Sequence, residues 1–101
     1  MAIRHIALFR WRDDATPDGI ARFQELLGKL PSAIPELRAY SFGPDAGISD
    51  GAFDFAVVAD VDDEAGFVAY RDHPEHQAAL GVLRPMLAER AAIQYMIPDI
   101  R

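Results

Sequence analysis

The sequence predicts an α+β fold: a four-stranded antiparallel sheet with its helices on one face. Three observations predict it. Apolar residues alternate with period two near both ends of the chain and in its middle. Two stretches between those strands carry apolar residues at helical spacing. Proline, glycine and aspartate gather at the junctions between blocks.

Residues 2–12 read as the first strand. Ile3, His5, Ala7, Phe9 and Trp11 share one face, on which His5 is the sole polar member. Arg4, Ile6, Leu8, Arg10 and Arg12 form the other, apolar in the middle and basic at its ends. In "DDATPDGIARFQELLGKLP", Thr16 is a fitting N-cap and Pro17 a fitting first helical residue. Ile20, Phe23, Leu27 and Leu30 follow as one stripe, widened by Leu26, and Pro31 is the expected stop. Residues 36–43 read as a short second strand, and "PDAGISDGA" as a loop with turn residues Asp45, Gly47, Asp50 and Gly51. The third strand covers 52–61, with Phe53, Phe55, Val57, Ala59 and Val61 on one face. Asp62 or Asp63 caps a helix with Glu64 in its first turn, so this acidic cluster reads as a dipole-matched helix start. That helix runs to about residue 71. A second helical piece is expected over about 74–89, kinked or restarted by Pro85, and a last strand over 91–97.

The order is βαββαβ, the ferredoxin-like split pattern. The 101 residues contain no linker, so a single domain over 1–101 is expected. A sheet covered by helices on one side needs one apolar face. Ile6, Leu8, Ala56, Val58 and Met96 are assigned to the opposite face, which a monomer would leave bare. The expected partner is therefore a second copy of the chain, packed through the open sheet face.

Composition narrows the function. With no cysteine there is no disulfide, no thiolate chemistry and no Cys-based zinc site. Sixteen acids outnumber nine arginines and Lys29, and no basic run occurs. Nucleic acid and anionic membranes are thus set aside as partners. Arg4, His5 and Arg10 interrupt the apolar N-terminus, and no apolar run approaches a membrane span, so a cytoplasmic location is expected.

The candidate chemistry lies in "AYRDHPEHQAAL", residues 69–80. Pro74 biases His73 away from helical backbone and starts a new helix, so His73 reads as a junction residue. His76, Leu80, Leu83 and Leu87 are spaced by four, three and four, which places His76 on a leucine face. Tyr70 follows Phe67 by three. His5 lies on the apolar face of the first strand. Three polar side chains thus converge on the layer between sheet and helices. A partly buried histidine is a general base near neutral pH, and a tyrosine hydroxyl can donate to a developing enolate. Such a set suits proton abstraction beside a carbonyl: aldol cyclisation, enolisation or isomerisation. Each of these side chains also has a structural reading, as a buried histidine bonded to backbone or a ring covering a helix edge. A metal centre is disfavoured. Pro74 breaks the turn that His73 and His76 would share, and no third ligand is evident.

"IRHIALFRW", "IPELRAYSFG", "FDFAVVADVDDEAGFVAYRDHPEHQAAL" and "AAIQYMI" resemble the stress-responsive A/B barrel (Dabb) family along essentially the whole chain. The "HPxH" run with its preceding tyrosine is the most specific part, and Arg4-His5 supports it. The resemblance implies a ferredoxin-like protomer that forms a dimeric α/β barrel. One branch of the family resembles a cofactor-free polyketide cyclase. By that resemblance His76 is the base and Tyr70 the hydroxyl donor, with His5 lining the pocket together with Ala7, Phe9, Phe23, Leu27 and Leu80. Leu27 departs from that branch, which offers an aromatic hydroxyl there. The resemblance implies no cofactor and a small apolar carbonyl ligand. Other readings it leaves open are a non-catalytic stress-related or ligand-binding dimer, and a cofactor-free relative of monooxygenase type.

Overall fold

The computed structural model describes residues 1–99. The elements are β1 (Ala2–Trp11), α1 (Pro17–Gly28), α2 (Leu30–Ala33), β2 (Ala39–Pro44), β3 (Phe55–Val61), α3 (Glu64–Asp72), α4 (Pro74–Leu83) and β4 (Leu87–Ile97), with one 3-10 turn at Arg84–Met86. The strands form one antiparallel sheet in the order β2-β3-β1-β4, the expected ferredoxin-like arrangement.

Register shows which residues meet the helices. His5 lies opposite Ala59, Ala7 opposite Val57 and Phe9 opposite Phe55, and all six are buried. Against them pack Phe23 and Leu27 of α1, Leu30, Ile34, Tyr70 of α3, and Ala79 and Leu83 of α4. Phe9, Trp11, Phe23 and Phe55 form an aromatic cluster at one end, with Phe23 and Phe55 centroids 5.6 Å apart.

Local chemistry sets the helix starts. Thr16 Oγ1 accepts from Gly19 N–H at 3.0 Å, and Pro17 follows it. Asp63, rather than Asp62, caps α3 through Gly66 N–H at 2.8 Å. His73 is extended at ψ 137° and its Nδ1 accepts from Glu75 N–H, so it caps α4 as a junction residue.

Several sequence-based bounds need correction. Pro31 does not end the first helix. α1 already stops at Gly28, and Pro31 sits in the first turn of the short α2, where its missing N–H costs nothing. The second helical piece stops at Leu83 and does not continue to 89. Pro85 cannot donate to the preceding turn, so the chain tightens into a 3-10 turn and enters β4. Asp60 keeps its expected place in the third strand. It is 4% exposed in β3 and accepts two hydrogen bonds from the Arg4 guanidinium, at 2.8 and 2.9 Å. Met96 was assigned to the open face, but it pairs with Ile3 and so lies on the helix side. The open face of β4 carries Ala91, Ile93 and Tyr95, opposite Leu8, Ile6 and Arg4. That face remains apolar, with Ile93 57% exposed and Ile6, Leu8, Ala56 and Val58 half-buried.

Candidate functional site

A cavity of about 270 Å³ lies between the helices and the sheet. β1 contributes His5, Ala7 and Phe9 to its wall, α1 contributes Phe23 and Leu27, and α4 contributes His76 and Leu80. Tyr70 enters from α3. The structure therefore brings all eight sequence-predicted side chains to one cavity. Leu87 reaches the same wall, from the start of β4 instead of from a helix.

The helix break at His73 and Pro74 creates the local geometry. α3 ends at Asp72, which leaves the Arg71 carbonyl without a helical donor. His76 Nδ1 lies 2.9 Å from that carbonyl, and Gln77 Nε2–H donates to it at 2.8 Å. A carbonyl can only accept, so Nδ1 carries the proton and Nε2 holds the free lone pair. The second face of the junction is Tyr70, whose ring centroid is 4.3 Å from that of His76.

Two further residues position the set, and both escaped sequence reasoning. Tyr40 of β2 places its hydroxyl 3.0 Å from that of Tyr70. Gln94 of β4 donates from Nε2 to His5 Nδ1 at 2.7 Å, leaving the proton of neutral His5 on Nε2. Both are set by cross-strand register: Tyr40 lies opposite Ala59, and Gln94 opposite His5. Alternation within each strand was visible in the sequence, but the register that matches one strand to another was not.

Burial dominates the electrostatics. His5 is 6% exposed and its pKa falls to about 4, through loss of solvation and then the charges of Arg90 and His76. Burial also lowers the His76 pKa. The bond to the Arg71 carbonyl opposes that shift, and Arg90 and Arg84 add to it. Both histidines are therefore neutral at pH 7. Burial raises the Tyr70 pKa, against the hydrogen bond to Tyr40 and the charge of Arg90. Arg71, Arg84 and Arg90 also line the cavity, and none was singled out from the sequence.

The model of the stress responsive A/B barrel domain, Dabb, matches residues 3–97. The chain belongs to the Dabb family. An uncharacterised protein of Streptomyces coelicolor is 32% identical over 88 residues, covering 81% of this chain and 87% of its own. A dimeric ferredoxin-like protein of unknown function from Thermobifida fusca is 58% identical, with a TM-score of 0.90 over 96% of this chain and 92% of that one. A hydroxynitrile lyase from Passiflora edulis superposes with a TM-score of 0.82 over 99% and 96% of the two chains, at 19% identity, which is a likeness of fold alone. The resemblance noted in the Dabb signature and the ferredoxin-like pattern thus hold for this chain. Its arginine-flanked cavity can be argued only from its own side chains.

Proposed function

We propose that this Dabb protein is a homodimeric, cofactor-free acid/base catalyst acting on a small carbonyl compound. One observation carries the reading. His76 is locked by the Arg71 carbonyl into the tautomer that leaves Nε2 basic, beside Tyr70, on the wall of an otherwise apolar cavity. In the reaction, His76 Nε2 takes a proton from the carbon next to the carbonyl. Electron density moves onto the carbonyl oxygen, and the Tyr70 O–H donates a hydrogen bond to it. The Tyr40 and Tyr70 hydroxyls lie 3.0 Å apart, and with Tyr40 as the donor the Tyr70 proton is free for substrate. The His76 imidazolium then returns its proton: to the enolate oxygen for enolisation, to another carbon for isomerisation, or, after the enolate attacks a second carbonyl, to the new alkoxide for aldol cyclisation. Neutral His5 borders the same space and offers Nε2–H as a further donor.

A binding-only cavity is the second reading. It is supported by the fact that no buried side-chain polar atom among the described residues lacks a partner. Hydrogen–deuterium exchange at the carbons next to the carbonyl of phenylacetone, followed by proton NMR in D2O, separates the two. Catalysed exchange that falls about a hundredfold or more in His76→Ala, with the fold retained, is the expected result. Exchange no faster than in buffer, or unchanged in His76→Ala, would remove the base from the account.

A further inference from the structure

We infer that the ligand of this cavity is a monocarboxylate, held at the mouth by Arg84 and Arg90 while its apolar body fills the space beside His76. This rests on the proposed use of the cavity and adds the class of molecule it takes.

The argument begins with the pairing of charges. Every other described arginine, and Lys29, meets a carboxylate. Arg84 and Arg90 meet none among the described residues, although acids exceed bases sixteen to ten in the chain. Both line the same cavity, and no acidic side chain lines it with them. The third arginine of the wall, Arg71, is already held by Asp72 at 2.9 Å.

The two line the cavity from consecutive elements, the 3-10 turn and the strand that follows it. Arg84 opens the 3-10 turn that Pro85 imposes after α4. Arg90 projects from the helix-side face of β4, opposite Phe9. Gln94 lies on the same face of β4 and holds His5, so one strand both positions the buried imidazole and presents the cation. A guanidinium presents a planar fork of donors that matches a carboxylate, and it holds its charge at every working pH. Ala7, Phe9, Phe23, Leu27, Leu80 and Leu83 line the same cavity, which suits an apolar body. A cavity of about 150 Å³ is enough to hold a benzene ring, so about 270 Å³ accommodates a phenyl ring with a short chain. An arylalkanoate or a medium-length keto acid matches this description.

The test compares hydrocinnamate with its neutral amide, hydrocinnamamide, and with phenyl phosphate, by calorimetry at low salt. Hydrocinnamate is expected to bind at least about tenfold more tightly than the amide, and the preference to vanish in the Arg84→Gln, Arg90→Gln double variant. The Arg12→Gln, Arg22→Gln double variant, which removes two charges away from the cavity, should leave the preference intact. The inference is overturned if the amide binds as well as the acid, if neither binds at millimolar concentration, or if the preference survives the double variant. Tighter binding of phenyl phosphate than of hydrocinnamate overturns the carboxylate assignment. A carboxylate preference without exchange on phenylacetone leaves anion recognition standing and removes the catalyst. Exchange without a carboxylate preference does the reverse.

Discussion

At the scale of single residues, the two buried histidines make the stability and the proposed activity depend on pH in the same direction. The folded-state pKa of His5 is about 4, against an ordinary value of 6.5. Between those values the unfolded chain binds the proton and the folded one does not. The contribution of His5 is therefore fully present above about pH 6.5 and is lost as pH falls toward 4. The full shift corresponds to about 3 kcal/mol at most. Urea unfolding at neutral and mildly acid pH should show stability falling with acid, and His5→Gln should flatten that slope. His76 is shifted the same way, so the NMR titration of its ring should have a midpoint below 6.5. Exchange of phenylacetone should hold its neutral-pH rate down to that midpoint and then fall as the base is protonated. The charged and titratable groups around His76 are His5, Tyr70, Arg71, Arg84 and Arg90, with Asp72 acting from the end of α3. His5, Tyr70 and His76 were legible in the sequence as polar members of apolar faces. Tyr40 and Gln94 were not, since each matters only through the residue it touches.

At the scale of elements, capping and breaking decide where the site residues sit. Asp63 orders the first turn of α3 through Gly66, and α3 carries Tyr70. Asp63→Ala should cost about 1 kcal/mol, read as a lower urea midpoint at an unchanged slope. The helix starts were predictable because side-chain caps act within a few residues. Helix stops were less so. Pro85, expected to kink or restart a helix, follows the end of one, and Pro31, expected to end one, lies in a first turn. A proline removes the same donor in either setting, and the packing of the next segment decides which outcome is lower in energy. The break at Pro74 matters most. It frees the Arg71 carbonyl, and that carbonyl orients His76.

At the scale of the whole molecule, β4 is the incompletely satisfied part. It packs mainly on β1, and Ile93 and Tyr95 are exposed on its open face. Together with Ile6, Leu8 and Val58 on the open face, this surface is suited to a second copy of the chain. The Thermobifida relative, at 58% identity, is dimeric. Light scattering should give twice the 11.2 kDa chain mass, and Val58→Asp should shift the protein to the monomer mass by placing a charge in the sheet-to-sheet contact.

The sequence by itself determined the βαββαβ order, the apolar side of each central strand, the helix starts and the three polar side chains turned toward the core. All of these follow from spacing and capping, which act over a few residues. Only the folded chain sets the strand register, the Tyr40–Tyr70 and Gln94–His5 bonds and the Arg4–Asp60 ion pair. These join segments tens of residues apart, and their energies exist only once chain entropy has been overcome and the segments have closed on one another.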